Sequence, residues 1–360
     1  MNDLSVSYEG RPCYDIVFDN SFEILAQKLS DLGFLGRRVA VITDSKVSGL
    51  YLKELTDAVS SVSGNVFSYV FKAGEESKNL DTIADIYDFL IKNRFDRKDV
   101  LIALGGGVCG DMTGYAAATY LRGISFIQIP TTLLSQCDSS IGGKTGVDFK
   151  GYKNMVGAFY MPKLVLMNMK TLLTLDERQF AAGFAEVIKH GLIADSGYFD
   201  WLCGNRSEIT GRNEGILSEM IRTSCGIKRD VVEKDPKESG LRMILNFGHT
   251  IGHAVEKYCD FNLLHGECVS LGMCAAAAIS KERGMLKEED VRRITDAFTA
   301  FKMPTRREGI DPKRIAELVK SDKKADNGRI RFILLDGIGS AEIVYDITDE
   351  EIIKGVEVIS

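Results

Sequence analysis

The stretch Val100–Asp111, with the sequence VLIALGGGVCGD, indicates the fold of the first half of the chain. Its apolar part, Val100–Leu104, is typical of a strand that is buried on both faces. The part that follows, Gly105-Gly106-Gly107-Val108-Cys109-Gly110-Asp111, satisfies G-x-G-x-x-G and leads into the helix-like stretch Met112–Tyr120. Glycines at such a turn let backbone N–H groups approach a pyrophosphate at a helix N-terminus, although a tight strand–helix turn also needs glycine for its own geometry.

The position of this motif in the chain is unusual. A standard dinucleotide fingerprint follows the first strand of its fold, whereas this one follows about the fourth predicted strand. The acidic residue expected on a ribose is then Asp44, which follows the strand-like run Arg38–Thr43. The sequence therefore predicts a variant of the Rossmann fold.

Strand-like and helix-like segments alternate through residues 1–170. The predicted strands are Tyr14–Phe18, Arg38–Thr43, Asn65–Phe71, Val100–Leu104 and Ile124–Ile129. The predicted helices between them run up to Leu32, from Val47 to about Ser60, and over Asp81–Lys92. Short apolar strands that alternate with helices are typical of a mainly parallel sheet covered by helices.

Residues 171–360 have apolar residues at helical spacing. The predicted helices are Glu177–Ile193, Ser207–Val232, Gly248–Tyr258, Gly266–Arg283 and Glu288–Phe301, and the strands Ile330–Leu335 and Ala341–Tyr345 are expected to form a small hairpin. The sequence thus predicts a Rossmann-like α/β domain, residues 1–170, followed by a mainly α-helical domain, residues 171–360. We expect the active site in the cleft between them.

The composition excludes several classes of protein. A net charge of -6 argues against nucleic acid as the main partner. The eight cysteines have no C-x-x-C pair, so they are expected to be buried, reduced thiols of a cytoplasmic protein. The residues Met1–Ser5 have neither the basic nor the apolar region of a secretion signal, so we do not expect secretion, and the apolar runs are too short to span a membrane. We expect a soluble cytoplasmic protein that acts on a small molecule.

A second glycine-rich stretch, Ile141–Gly146, resembles a Walker A loop. The first glycine that this motif requires would fall on Asp138, so ATP hydrolysis is disfavoured. The surrounding sequence, from Pro130 onward, is predicted to be a loop with many polar groups, namely Thr131, Thr132, Asp138, Lys144, Asp148, Lys153 and Asn154. Both a solvated loop and a ligand-binding loop are consistent with these residues.

The four histidines of the chain are unevenly distributed. His249 and His253 are spaced i, i+4 on one face of a predicted helix, and His265 follows closely. The pair can bind one metal, or one member can bind it while the other hydrogen-bonds the substrate. With His265 and with Glu186 upstream, the set can therefore supply three protein ligands and an open position, as a catalytic zinc site requires. The alternative is a set of hydrogen-bonded structural histidines. His190 is expected to be a helix-surface or packing residue.

Basic and amide side chains surround the histidine cluster in sequence. Each basic residue alone is typical of a solvated surface, but together they indicate a small substrate with a carboxylate or phosphate group. The set comprises Lys144, Lys153, Lys189, Lys228, Arg242, Asn246 and, in a predicted polar turn, Asp322-Lys323-Lys324.

These motifs occur in the same order in the 3-dehydroquinate synthases, and residues 40–335 closely resemble that family of sugar phosphate cyclases. The motifs that support the resemblance are GGGVCGD at residues 105–111, PTTLLSQCDSSIGGKTGVD at 130–148, KN at 153–154, AEVIK at 185–189, LNFGHTIGHA at 245–254, HGE at 265–267 and DKK at 322–324.

The resemblance implies a zinc- and NAD-dependent cyclisation of 3-deoxy-D-arabino-heptulosonate 7-phosphate to 3-dehydroquinate with release of phosphate, in the shikimate pathway. The implied steps are transient oxidation of an alcohol, elimination of phosphate, reduction of the carbonyl, ring opening and an intramolecular aldol reaction. NAD is regenerated in each turnover. The resemblance also implies a homodimer, and cobalt is an alternative to zinc.

The resemblance further implies a role for individual residues. The metal ligands would be Glu186, His249 and His265, and His253 would transfer protons to or from the substrate. The substrate pocket would contain Asp138, Lys144, Lys189, Lys228, Arg242 and Asn246, of which Asp138, Lys144, Lys189 and Asn246 would also act in catalysis. The phosphate would be held by Lys153, Asn154, Lys324 and Arg122 of the partner subunit. NAD would be bound by Asp44, Glu75, Lys78, Gly106, Gly107, Val108, Asp111, Thr131 and Thr132, together with Lys144 and Lys153.

Three other functions compete with this interpretation. Another sugar phosphate cyclase would make a valiolone or an inosose from a substrate without the carboxylate, and retention of Arg242, Asn246, His253 and Lys324 argues against it. A metal-dependent polyol dehydrogenase would accumulate NADH and usually has aspartate where Glu186 stands. A non-catalytic sensor of NAD or metal would leave the substrate-pocket residues without a role.

Overall fold

The computed structural model describes residues 3–63, 65–323 and 331–360. In this part of the chain the fold consists of two compact units, which divide between Leu175 and Asp176. No helix among these residues has the length and apolar character needed to cross a bilayer.

The first unit is built around a seven-stranded sheet. Its strands, with those of a separate hairpin, are β1 (Leu4–Tyr8), β2 (Arg11–Asp19), β3 (Arg38–Asp44), β4 (Asn65–Phe71), β5 (Val100–Gly105), β6 (Ser125–Pro130), β7 (Lys144–Phe149), β8 (Tyr152–Phe159) and β9 (Leu164–Asn168). The helices are α1 (Ile24–Asp31), α2 (Lys53–Ser60), α3 (Leu80–Lys92) and α4 (Gly107–Thr119), with π-helical turns at Ser48–Leu52 and Ser135–Ser139.

The sheet has the order β1-β2-β9-β6-β5-β3-β4 and is parallel except where β1 pairs with β2. Alternate residues of β3 enter different cores, Val39 and Val41 on one face and Ala40 and Ile42 on the other. Apolar side chains on both faces explain why these strands are short apolar runs. The predicted mainly parallel sheet with covering helices is confirmed.

The carboxyl ends of three central strands meet at one edge of this sheet. Thr43 of β3 pairs with Leu104 of β5, and Gly105 of β5 pairs with Pro130 of β6. Asp44, Gly105 and Thr131 therefore lie at the same edge, where parallel α/β sheets bind ligands.

Several predictions in the first unit were wrong. The predicted loop over residues 130–154 contains all of β7 and the start of β8, which form an antiparallel hairpin. Its many polar side chains concealed the strand pattern. Strands β1 and β9 were not predicted, and α4 begins at Gly107, inside the glycine motif, instead of at Met112.

The second unit is mainly helical. Its helices are α5 (Glu177–Ala194), α6 (Ser196–Gly204), α7 (Arg206–Thr210), α8 (Glu214–Lys234), α9 (His249–Tyr258), α10 (His265–Glu282), α11 (Glu288–Ala300), α12 (Pro312–Lys323) and α13 (Asp349–Glu357), with a 3-10 turn at Leu241–Asn246. A hairpin of β10 (Phe332–Leu335) and β11 (Ala341–Val344) confirms the predicted one.

Helix α10 is the central helix of this unit, with every residue from Cys268 to Ser280 buried. Where α10 crosses α9, the two backbones meet at Gly272 of α10, at Gly252 of α9 and at Gly248, the N-cap of α9. A Cβ on Gly272 would lie 2.0 Å from the Gly248 carbonyl oxygen, and one on Gly252 would lie 3.0 Å from the Cys268 carbonyl oxygen. Only glycine permits so close a crossing of the two helix backbones.

The structure also corrects predictions in the second unit. The single helix predicted over Ser207–Val232 is two helices, because Asn213 caps a new one by accepting from the backbone of Ile216 (3.2 Å). Helices α6, α12 and α13 were not predicted. Asp322 and Lys323 end α12 and do not form a turn, and Lys324 lies outside the described residues.

The prediction that all eight cysteines are buried was wrong for three of them. Cys203 is exposed, and Cys13 and Cys259 are partly exposed. No disulfide joins cysteines in the described part of the chain, which includes all eight.

Candidate active site

Three histidines of the second unit lie together at the N-terminal ends of α9 and α10. His249 is the first residue of α9, His253 follows one turn later, and His265 is the first residue of α10. Their ligand atoms all lie within 4.8 Å of one another. His249 and His265 are partly buried, whereas His253 is exposed. Imidazoles this close together can bind one divalent ion.

The local backbone orients His249. Gly248 precedes it with a φ of 79°, in the left-handed region that favours glycine. The Nδ1 of His249 donates to the Phe247 carbonyl oxygen (3.2 Å), so Nε2 keeps the lone pair that a metal ligand needs. Burial, with the positive charge of Lys189, holds the pKa of His249 well below its ordinary value. The imidazole is therefore neutral at neutral pH.

The carboxylate of Glu186 on α5 faces this imidazole. Its side chain is 1% exposed, and Oε1 lies 3.7 Å from His249 Nε2. Among the described residues this oxygen has no hydrogen-bond partner, while Oε2 forms an ion pair with Lys189. A buried carboxylate oxygen without a hydrogen-bond donor is costly unless a cation is bound. The donor set therefore fits a divalent metal.

These residues offer two ligand sets. The three histidines have ligand atoms within 4.8 Å of one another, whereas Glu186 lies 3.7 Å from one of them, His249. The second set replaces His253 by Glu186. His253 is exposed, whereas Glu186 is 1% exposed, His249 14% and His265 33%. A group that exchanges protons with a substrate needs such access, whereas a ligand does not.

Two carboxylates to which the sequence analysis gave no role lie near the histidines. Glu256 on α9 is buried, with Oε2 4.0 Å from Nδ1 of His265. Glu267 accepts a hydrogen bond from the backbone N–H of Leu264 (2.8 Å). It also accepts two hydrogen bonds of 2.7 Å from the guanidinium of Arg178. The sequence could have indicated that Glu256 lies near the site, since Glu256 follows His249 by seven residues and therefore shares its helix face.

Three predicted substrate residues are cations in the interior of the second unit. Lys189 on α5 is 1% exposed, Lys228 on α8 is 4% exposed and Arg242 is 2% exposed. Solvated surface charges, the alternative for each residue alone, are therefore excluded. Buried cations are retained where they pair with anionic groups.

Asn246 lies at the end of the 3-10 turn, next to a residue that the sequence analysis missed. Its Nδ2 donates to Oε1 of Glu238 (2.9 Å). The backbone of Glu238 is in the left-handed region, with a φ of 57°. The polar stretch from Asp235 to Gly240 contains proline and glycine, so a turn was predictable there. The sequence did not show that the Glu238 side chain would point to Asn246.

His190 is a packing residue, one of the two alternatives predicted for it. It is fully buried, and its Nδ1 is 2.6 Å from Oγ of Ser224. This hydrogen bond joins α5 to α8, the helices that contain Lys189 and Lys228.

The first unit has a second candidate site, at the carboxyl edge of its sheet. A Cβ on Gly105 would lie 2.7 Å from Cβ of Cys109 and 3.6 Å from Oδ2 of Asp44. A Cβ on Gly106 would lie 3.1 Å from Cγ2 of Thr132. The hydroxyl of Thr131 is buried without a hydrogen-bond partner among the described residues. A glycine-lined edge at the start of α4 fits a dinucleotide phosphate.

Lys78 connects this edge to the β7–β8 hairpin. Its ammonium donates to Oδ2 of Asp111 (2.7 Å) and to Oδ1 of Asn154, and Glu75 lies 4.0 Å away. Burial opposes the charge, but the carboxylates of Asp111 and Glu75 raise the pKa of Lys78 above its ordinary value. Lys78, Asp111 and Asn154 are therefore brought together as one polar cluster.

The other predicted residues of the first unit are more exposed. Lys144 begins β7, Lys153 lies in β8, and Arg122 follows α4 with a left-handed φ of 66°. All three side chains are exposed, and Asp138 is partly buried.

Comparison with known proteins agrees with the resemblance. Residues 68–182 match the family 3-dehydroquinate synthase N-terminal, and residues 183–325 match 3-dehydroquinate synthase C-terminal. A 3-dehydroquinate synthase from Acetivibrio thermocellus is 46% identical over 353 residues, 98% of each chain. The chain belongs to the 3-dehydroquinate synthase family.

Two solved structures have the same fold as this chain. A 2-epi-5-epi-valiolone synthase from Streptomyces hygroscopicus subsp. jinggangensis, solved with NAD+ and Zn2+ bound, superposes with a TM-score of 0.88 over 99% of each chain, at 29% identity. A 2-deoxy-scyllo-inosose synthase superposes with a TM-score of 0.87 over 99% of each chain. At 24% identity this similarity concerns the fold alone. The predicted fold class is confirmed.

Proposed function

We propose that this protein catalyses the cyclisation of 3-deoxy-D-arabino-heptulosonate 7-phosphate to 3-dehydroquinate and phosphate, with NAD and zinc as cofactors. Family membership supports the reaction. The observation that carries the proposal is the combination, in one unit, of the buried carboxylate Glu186 beside His249 with the buried cations Lys189, Lys228 and Arg242. A metal site beside buried cations suits a polyhydroxylated anionic substrate.

We assign Glu186, His249 and His265 as the metal ligands. The Oε1 of Glu186 supports this choice, because it faces His249 Nε2 without a hydrogen-bond donor among the described residues. Bound zinc, or cobalt in its place, would lower the pKa of a coordinated substrate hydroxyl. His253, exposed on the same helix face, is assigned to proton transfer with the substrate.

We assign the carboxyl edge of the sheet in the first unit to NAD. Bound NAD would accept a hydride and return it within one turnover, so the overall reaction produces no NADH. Asp44, at the end of β3, would accept from a ribose hydroxyl, and backbone N–H groups of the glycine turn before α4 would bind the pyrophosphate. The assigned residues are Asp44, Glu75, Lys78, Gly106, Gly107, Val108, Asp111, Thr131 and Thr132, with Lys144 and Lys153.

The substrate assignment follows charge and burial. Arg242 and Lys228 would bind anionic or hydroxyl groups of the substrate, and Asn246, held by Glu238, would fix its orientation. Lys189, Asp138 and Lys144 complete the assigned pocket. We assign the phosphate to Lys153, Asn154 and Lys324 of the same chain, together with Arg122 of the partner subunit.

We also propose that the protein acts in the cytoplasm as a homodimer. The surroundings of Arg122 support a partner contribution, since its side chain is exposed after α4 and both Leu121 (φ 50°) and Arg122 (φ 66°) have left-handed backbone. Strain of this kind persists where a site requires it. Arg122→Ala should then lower activity without changing the zinc content.

The main proposal is tested by phosphate release. Purified protein with zinc, NAD and the heptulosonate phosphate should release phosphate without accumulation of NADH. The same assay with a heptulose phosphate that lacks the carboxylate tests the valiolone-type alternative, which the neighbouring valiolone synthase structure raises. Phosphate release only from the second substrate, or stoichiometric NADH from polyols, would overturn the assignment.

A further inference from the structure

The loop that joins α8 to the 3-10 turn is organised by one carboxylate. Asp235 follows α8 directly and is 8% exposed. Its Oδ1 accepts from the backbone N–H (2.9 Å) and the hydroxyl (3.1 Å) of Ser239. Its Oδ2 accepts from the backbone N–H groups of Gly240 (2.7 Å) and Arg242 (3.1 Å). Burial opposes the charge, but these hydrogen bonds prevail and lower the pKa of Asp235 to about 2.

The loop ordered in this way contains or adjoins several residues assigned to the substrate. The Nη1 of Arg242 donates to the carbonyl of Pro236 (2.7 Å), within the loop itself. Glu238, in the left-handed region at its centre, accepts from Asn246. The positions of Arg242, Glu238 and Asn246 therefore all depend on the conformation of residues 236–241.

We propose that Asp235 is a positioning residue of the substrate site, which fixes this loop so that Arg242 and Asn246 face the anionic substrate. The proposal rests on the proposed function, which assigns both residues to substrate binding. An amide cannot replace this carboxylate. Asparagine has one acceptor oxygen, and its NH2 group would face two N–H donors.

The first experiment measures steady-state kinetics of Asp235→Asn. The KM for the heptulosonate phosphate should rise about tenfold to a hundredfold, because misaligned binding groups cost this much. Zinc content and NAD affinity should stay unchanged. Asp195→Asn is the matched control, since Asp195 caps α6 through the N–H of Tyr198 (2.9 Å) and α6 contains no assigned residue. The control should keep the wild-type KM.

A double-mutant cycle tests whether Asp235 acts through Arg242. Asp235→Asn should change kcat/KM little when Arg242→Met is already present, because the group that it positions is gone. Additive losses, or a KM equal to that of wild type, would overturn the inference. If Asp235→Asn does not fold, Ser239→Ala removes one of the four donors and should raise KM in the same direction.

Substrate binding separates this inference from the proposed function. Calorimetric titration of the zinc-loaded protein with the heptulosonate phosphate, without NAD, needs no turnover. Wild-type protein that binds the substrate but releases no phosphate contradicts the proposed function, while weaker binding by Asp235→Asn still supports the inference. Equal binding by both proteins overturns the inference alone.

Discussion

At the scale of single residues, the two oxygens of Glu186 have different environments. Oε2 is paired with Lys189, and Oε1 faces the lone-pair nitrogen of His249. The lysine thereby fixes the carboxylate so that one oxygen points to His249, where we propose that the metal binds. Neutral His249 needs to lose no proton when a metal binds near pH 7, which favours metal binding there.

Two histidine substitutions distinguish a ligand from a proton-transfer residue. His265→Ala should abolish retention of zinc after dialysis, because two protein ligands hold zinc far more weakly than three. His253→Ala should retain zinc but lower kcat by about 10²- to 10⁴-fold, the usual contribution of a general acid or base. Metal analysis by mass spectrometry and the phosphate assay measure the two effects.

Loss of zinc in His253→Ala as well as in His265→Ala would favour the set of three histidines. Zinc lost in His253→Ala and retained in Glu186→Gln would show that Glu186 is not a ligand. Zinc lost in all three variants would indicate a four-ligand site.

At the scale of elements, the site depends on the crossing of α9 and α10. His249 and His253 belong to one helix and His265 to the other, so the helix separation sets the distance between the imidazoles. Gly272 sets that separation, because a Cβ there would meet the backbone of α9. Backbone atoms cannot rotate away as a side chain can.

Gly272→Ala should therefore weaken the fold and the metal site together. Forcing α9 away should lower the free energy of unfolding by about 1–3 kcal/mol or more, as overpacking does, and zinc affinity should fall because His249 moves away from His265. Gly226→Ala in α8 is the control, since a Cβ there meets nothing within 4 Å. It should stabilise the protein by about 0.5–1 kcal/mol. Urea unfolding and a chelator competition measure both quantities, and equal behaviour of the two variants would contradict this account.

At the scale of the whole molecule, the two cofactors are assigned to different units. The NAD residues belong to the unit that ends at Leu175, and the metal ligands belong to the unit that begins at Asp176. Each unit has its own core, so each ligand should stabilise the elements of the unit that binds it more than those of the other unit.

Hydrogen exchange should show this division. A ligand that binds only the native state adds about 2.7 kcal/mol at a hundred times its Kd. Zinc added to chelator-treated protein should slow exchange most in α5, α9 and α10, and NAD should slow it most around residues 105–111 and 131–132. Mass spectrometry of peptic fragments measures the effect. NAD protection greatest in α9 and α10 would contradict the assignment.

Local patterns in the sequence determined much of this protein. The apolar run Val100–Leu104 and its glycines fixed a strand–turn–helix unit, because burial on both faces and close backbone approach leave few alternative residue types. The spacing of His249 and His253 placed both on one helix face. The ordered motifs, matched to a known family, indicated the reaction.

Only the tertiary structure decided which distant residues meet. Strand β9 lies between β2 and β6, and no local pattern records such pairing. The β7–β8 hairpin was mistaken for a loop because its polar side chains do not alternate with apolar ones. Glu186 faces His249, and Asp235 orders the loop before Arg242, through contacts that depend on packing and backbone direction. Sequence determines which groups are present and their local spacing, whereas folding determines the distances between them on which their chemistry depends.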